Sequence, residues 1–288
     1  QEVSIPDLPD PAPCHLQGKH NVVVTGVGGT GVVTIGALLA MAAHLDGKAA
    51  GVMEMAGLAQ KGGAVHIHCR IGETPEDISA IRVALGECDA LIGGDLVVSA
   101  QGSTLGLMAP TGGAVVNRHE IITGEFTRDT AFAIPGADLH LALTARLQER
   151  ALLLNATRLA ETALGDTVYA NMILLGAAYQ QGLLPLTQEA LLEAIALNGA
   201  KVTQNQQAFA LGRWAMVDAD LDSKFERIEA PVQDPEAARV AGLRAYGSGR
   251  LARYEAIRST LQGMEPDLRE TALQSYHKLL CYKDEYEV

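Results

Sequence analysis

Three clusters hold residue types that could do chemistry. Gly26-Val-Gly-Gly-Thr-Gly31 matches G-x-G-x-x-G between a β-branched run and an apolar stretch. In that context Gly26, Gly28 and Gly31 permit a tight turn. The N–H groups of Gly28, Gly29, Thr30 and Gly31, with the first helical turn, then favour an anion. The opposing reading is that the glycines only let helix and strand pack closely, and the motif leaves both open. Gln60-Lys61-Gly62-Gly63 forms the second cluster, where Lys61 could clamp a phosphate or carboxylate or simply be an exposed loop lysine. Asn117-Arg-His-Glu120 is the third, either lining the same crevice or starting a helix.

His66, His68 and Arg70 alternate with Val65, Ile67, Cys69 and Ile71 and so share one strand face. Two imidazoles at i, i+2 suit a metal, but no third ligand stands near and Arg70 repels a cation. A polar sheet face or a contact with a partner domain is expected there, and no metal site. No Ser/His/Asp or Cys/His spacing demands a nucleophile, so the catalytic residues are unknown at this level. Glu54, near the end of the second strand, is where a nicotinamide enzyme would hold a ribose. An NAD(P)-binding Rossmann dehydrogenase domain is therefore the alternative.

The elements that must position these residues read clearly. Asn21-Val-Val-Val-Thr25 is a buried strand, Val32–His44 a helix apolar on nearly every face, and Ala49–Met53 a second strand, making a βαβ opening. Asp89–Ile92, Gly113–Asn117 and Leu152–Leu154 read as further strands, with a helix from about Leu96 to Met108. Helices are expected over Ala156–Leu164, Val168–Gln181, Thr187–Asn198 and Lys201–Met216, with Thr187 a cap and Asn198-Gly199 a stop. The fold class is α/β: a Rossmann-like open, mostly parallel sheet with a helical C-terminal half, followed by a small all-helical module. A Pro-rich leader (1–20), a main domain (21–229) and a helical module (236–288) follow from the linker-like Ala230-Pro-Val-Gln-Asp-Pro235 and from five tyrosines beyond it. The start at Gln1 and the end inside a helix-like run lead us to expect a trimmed fragment of a longer polypeptide.

Composition narrows the function classes. At 48% hydrophobic residues the chain can bury a sizeable core, and a net charge of −12 disfavours nucleic acid as the main partner. No apolar run reaches the roughly 20 residues of a membrane helix, and the leader has no signal core, so a soluble, cytoplasmic protein is expected. Cys14, Cys69, Cys88 and Cys281 are too scattered for a cluster or a disulfide framework.

Taken together, Gly26–Thr34, Gly57-Leu-Ala-Gln-Lys-Gly-Gly-Ala-Val65 and Asn117–Glu120 resemble the gamma domain of 2-oxoacid:ferredoxin oxidoreductases. Asp166, Tyr179–Pro185, Ala194–Asn198 and Ala208–Arg213 continue the similarity, which spans roughly residues 21 to 216. The end, Lys278–Val288, resembles the module that follows this domain in fused indolepyruvate:ferredoxin oxidoreductases. The resemblance implies oxidative decarboxylation of a 2-oxo acid with coenzyme A, giving acyl-CoA, CO2 and reduced ferredoxin. It implies thiamine diphosphate, Mg and iron–sulfur clusters in the whole enzyme; this chain shows no convincing thiamine motif and no cluster cysteine series. It further implies partners in the remaining thiamine- and cluster-binding domains, ferredoxin and a homo-oligomer. Gly26, Gly28, Gly29, Thr30, Gly31, Gln60 and Lys61 are then the expected cofactor-binding positions.

Overall fold

The computed structural model describes residues 4–28, 30–56, 63–120, 136–225, 235–246 and 248–281. The chain divides into two compact units, Gln1–Glu226 and Arg227–Val288.

Among the described residues the first unit carries six strands: β1 (Lys19–Val27), β2 (Ala49–Ala56), β3 (Ala64–Gly72), β4 (Cys88–Gly93), β5 (Met108–Asn117) and β6 (Ala151–Leu154). Their spatial order is β2-β3-β1-β4-β5-β6. β1, β4, β5 and β6 pair in parallel, whereas β3 is antiparallel to both β1 and β2. The sheet is therefore mostly parallel, as expected. The opening βαβ unit is split, however: β1 and β2 run the same way, but the hairpin from β2 places β3 between them.

The helices of this unit are α1 (Val32–Leu45), α2 (Leu96–Ser99), α3 (Gly102–Leu105), α4 (Gly136–Leu147), α5 (Ala156–Leu164), α6 (Ala170–Gln180), α7 (Gln188–Asn198), α8 (Val202–Val217) and α9 (Leu221–Lys224). Alternation along the strands feeds two cores. Val22, Val24, Ile67, Cys69 and Ile92 point to the face covered by α1 and α5–α8. Val23, Cys88, Leu91, Ala114 and Val116 point to the face under α2 and α4. Caps stop and start the helices as the sequence implies: Thr187 Oγ1 accepts the Ala190 N–H at 3.2 Å, and Gly199 ends α7 at φ 74°.

The single helix expected over Leu96–Met108 is instead two short ones, with Met108 opening β5. The Thr104 hydroxyl donates to Val98 O at 2.8 Å, capturing the carbonyl that a continuous helix would offer to the next turn.

α6 and α8 cross through two glycines. A Cβ on Gly176 would lie 1.9 Å from Phe209 O, and one on Gly212 would lie 1.9 Å from Ile173 O. Only glycine admits this approach. The proline-rich leader lies along the same helices: Pro9 O accepts from Gln180 Nε2 (2.9 Å) and from Nη2 of the buried Arg213 (3.0 Å).

The second unit is a helical trio, α10 (Pro235–Tyr246), α11 (Ser248–Thr260) and α12 (Pro266–Leu280), around Leu243, Tyr254 and Leu273. No described helix is long and apolar enough to cross a membrane.

Candidate functional site

Of the expected site residues, Gly26, Gly28, Thr30 and Gly31 follow β1 at the carboxyl edge of the sheet, where β1, β4, β5 and β6 all end. At the end of β1, a Cβ on Gly26 would meet Val32 Cγ1 at 2.4 Å, and one on Gly94, just past β4, would meet the same methyl at 2.8 Å. Val32, the first residue of α1, is thus wedged between two glycines, and the absence of a Cβ at Gly26 gives it room. Gly31 adopts φ 79°, a left-handed conformation that favours glycine, and precedes a helix with no side-chain cap. The Thr34 N–H donates to Gly31 O at 3.1 Å, which leaves the N–H groups of Val32 and Val33 without an acceptor among the described residues.

Two of the loop donors are committed. The Gly28 N–H donates to Gly63 O at 2.8 Å, and the Thr30 N–H to Val27 O at 3.2 Å. The first of these bonds joins the glycine loop to the end of the loop that carries Gln60 and Lys61. Gly29, Gln60 and Lys61 themselves lie outside the described residues.

Asn171 of α6 braces the turn, donating Nδ2–H to Thr30 O at 2.7 Å. Its signal in the sequence, one Asn early in an apolar helix, was too weak to single out. Gly93-Gly94-Asp95 was missed as well, although it repeats the strand–glycine–helix order of the first motif. Asp95 is fully buried and caps α2 through Val98 N–H at 2.8 Å. Burial pushes its carboxyl up to about 6, against the pull of N–H bonds from Val98 and Val97 and of His119.

Asn117 does reach this edge. Its Nδ2 donates to Gly94 O (3.1 Å) and Thr157 Oγ1 (2.8 Å), which staples the ends of β4, β5 and β6. Arg118, His119 and Glu120 follow it, exposed. Leu96 N–H donates to His119 O at 3.0 Å, so the cluster packs on the start of α2 rather than starting a helix of its own.

The His66, His68 and Arg70 face is neither a solvated sheet face nor free for a partner domain. The segment after β3 and the α2–α3 pair cover it within this unit. His68 Nδ1 accepts Val83 N–H at 2.9 Å, His66 Nε2 meets Thr104 Oγ1 at 2.9 Å, and Arg70 pairs with Glu87 at 2.5 Å. Burial foremost, then His66, Arg82 and Arg70, lowers His68 to about 4, so it is a neutral core group.

Glu54 is exposed on the edge strand, and β3 separates it from β1. Two strand spacings are about 10 Å, which removes the carboxylate from beside the glycine loop, where a ribose-binding acid belongs. The nicotinamide alternative loses its second requirement. The thiols do not suit a cluster: Cys69 faces one core and Cys88 the other, and burial raises both to about 12.

Compared with known proteins, residues 21–215 match the family described as pyruvate ferredoxin/flavodoxin oxidoreductase. The indolepyruvate oxidoreductase subunit IorB of Archaeoglobus fulgidus is 29% identical over 201 residues, 67% of this chain and 94% of that subunit. The subunit of the same name from Thermococcus kodakarensis is 28% identical over 196 residues, with 67% and 94% covered. Among solved structures, the pyruvate oxidoreductase subunit PORC of Thermotoga maritima aligns with a TM-score of 0.50 at 18% identity, over 69% of this chain and 97% of that one. That last likeness concerns the fold alone.

Proposed function

The chain belongs to the pyruvate ferredoxin/flavodoxin oxidoreductase family, and from that membership we propose that it is the gamma-type module of an indolepyruvate (arylpyruvate):ferredoxin oxidoreductase. The whole enzyme would cleave the carboxyl group of a 2-oxo acid as CO2, join the acyl group to coenzyme A and pass two electrons to ferredoxin. Thiamine diphosphate with Mg supplies the carbanion chemistry, and iron–sulfur clusters carry the electrons, in partner domains of the same homo-oligomeric, cytoplasmic enzyme. This module shapes the active-site crevice or the coenzyme A path.

One observation supports the site: the 2.8 Å bond from Gly28 N–H to Gly63 O. It sets the open N-terminus of α1 and the roots of the Lys61 loop at one edge of the sheet. Partial positive charge from α1 and a full charge from Lys61 would then seat a coenzyme A phosphate or the substrate carboxylate. On a chain of net charge −12 an anion needs such a local positive seat.

Lys61→Ala in the complete enzyme is the test. A charge-assisted hydrogen bond is worth about 1.5–3 kcal/mol, so KM for coenzyme A or the 2-oxo acid should rise roughly tenfold or more. Unchanged KM for both, at wild-type stability, would return Lys61 to the surface and the glycines to packing. The isolated chain, treated with iron and sulfide under anaerobic conditions, should stay colourless.

A further inference from the structure

At the amino edge of the sheet the imidazole of His20 stands between two acceptors. The side chain, on the second residue of β1, is only 13% exposed. Its Nε2 lies 2.9 Å from Leu183 O, and its Nδ1 lies 4.0 Å from Asp89 Oδ2. A carbonyl only accepts, so the proton of the neutral ring belongs on Nε2, donating to Leu183 O. Nδ1 then turns a lone pair towards a carboxylate oxygen. That oxygen also accepts the Asn21 N–H at 2.8 Å, which fixes its position. One N–H cannot serve both acceptors, whereas an imidazolium, with two, can.

The two acceptors belong to different elements. Asp89 is on β4, and Leu183 is in the turn between α6 and α7. That turn is closely set. Gly182 adopts φ 67°, and a Cβ on it would lie 2.7 Å from Ala12 O of the leader. A Cβ on Gly113 of β5 would lie 2.7 Å from Leu183 Cδ2. The turn also ends α6, the helix whose Asn171 holds Thr30 O at the opposite edge. Cys14, His15, Glu149 and Arg150 share a cleft of about 460 Å³ with His20 and Asp89. Burial, then Asp89, raises the Cys14 thiol, which stays uncharged. Arg150 Nη1 donates to Pro110 O and Gly112 O, and Lys19 pairs with Glu87 at 3.6 Å. His15 and Glu149 are exposed, and Ile71 is opposite His20 on β3. Of these charges, Asp89 is the one set against Nδ1.

We propose that His20 is a proton-operated staple: a proton gained at Nδ1 closes on Asp89 and ties the α6–α7 turn to β1 and β4 together. Neutral His20 ties the turn to β1 alone. On protonation the 4.0 Å gap narrows to about 2.8 Å, the length of a charge-assisted bond. Burial opposes the charge and lowers the ring from its ordinary 6.5, while Asp89 and Leu183 O pull the other way. The staple therefore closes on the acid side of neutrality. The sign for global stability is the reverse. With the folded value lowered, this group's contribution is present above pH 6.5 and falls as pH drops through the folded value. What the proton adds is local order in the turn and in the leader packed on Gly182.

Nitrogen NMR of the 288-residue chain follows both ring atoms directly. Above about pH 7.5 the His20 proton should be on Nε2 with Nδ1 bare, and Nδ1 should gain its proton on titration to about pH 5. Asp89→Asn keeps an acceptor for the Asn21 N–H and should lower the proton affinity of the ring about tenfold. The Gly182 and Leu183 amides, which donate to Tyr179 O and Ala178 O, report on the turn. Corrected for intrinsic rates, their hydrogen exchange should slow about threefold or more across the titration. In His20→Gln, which can still donate to Leu183 O but does not titrate, it should not slow. A proton on Nδ1 above about pH 7.5, or a ring singly protonated down to about pH 5, would overturn the staple. So would a proton affinity indifferent to Asp89→Asn, or the same exchange response in His20→Gln.

Discussion

Asp95 and His68 are both buried, and they link stability to pH in opposite senses. The folded Asp95 carboxyl titrates near 6 rather than its ordinary 3.8, so the folded state holds that proton more tightly. Stability from this group is full below pH 3.8 and falls as pH rises towards 6. His68, lowered to about 4 from 6.5, stays neutral in the fold while the unfolded chain charges. Its contribution is present above pH 6.5 and falls as pH drops towards 4. The two trends oppose each other across the same window. Asp95→Asn keeps a side chain that can cap α2 and removes the ionisation cost. The gap between 3.8 and about 6 corresponds to at most about 3 kcal/mol. Urea unfolding should show the variant more stable at pH 7, unchanged near pH 4, and steeper in its acid loss because His68 then acts unopposed. A gain of equal size at both pH values would contradict this account.

At the scale of elements, the α6–α8 crossing depends on the absence of two Cβ atoms. Gly176→Ala and Gly212→Ala each put a methyl within 1.9 Å of a backbone carbonyl, so backbone must move rather than a side chain rotate. Overpacking of this kind costs about 1–3 kcal/mol, sometimes more. The double variant should lose less than the sum, because one displacement relieves both clashes. Additive losses in denaturant midpoints would show that the two contacts are independent. The Val32 wedge between Gly26 and Gly94 obeys the same rule at the site. There Gly26 makes room for Val32 at the first position of the motif, and Gly31 at its last puts no side-chain cap on Val32 and Val33 N–H.

For the whole molecule, the contacts divide between Glu226 and Arg227, close to the Ala230–Pro235 stretch whose composition reads as a linker. Among the described residues the first unit has two large cores, whereas the second closes around three fully buried side chains. Brief proteolysis should therefore cut first between about residues 227 and 235 and leave a folded fragment that ends there. The leader should survive in that fragment, because Pro9 is held by Gln180 and Arg213. Early cleavage within the first 200 residues would place the boundary elsewhere.

What the sequence determined by itself is the part governed by short-range physics. β-branched runs bounded by glycine, 3.6-residue periodicity and caps such as Thr187 are local, and they specified most strands, the C-terminal helices and the glycine turn after β1. The family was legible too, because Gly-Leu-Ala-Gln-Lys-Gly-Gly together with the glycine loop is a specific pair. Strand order was not. Nothing in Ala64–Ile71 announces that β3 enters between β1 and β2, yet that insertion separates Glu54 from the glycine loop and opens the edge at β2. Burial of His68 and Arg70 likewise depends on a segment that returns over β3 only in the folded chain. Asn171 meets Thr30 across 141 positions of sequence. Pairings of that kind arise from closing the sheet and packing helices onto it, and no periodicity along the chain encodes them.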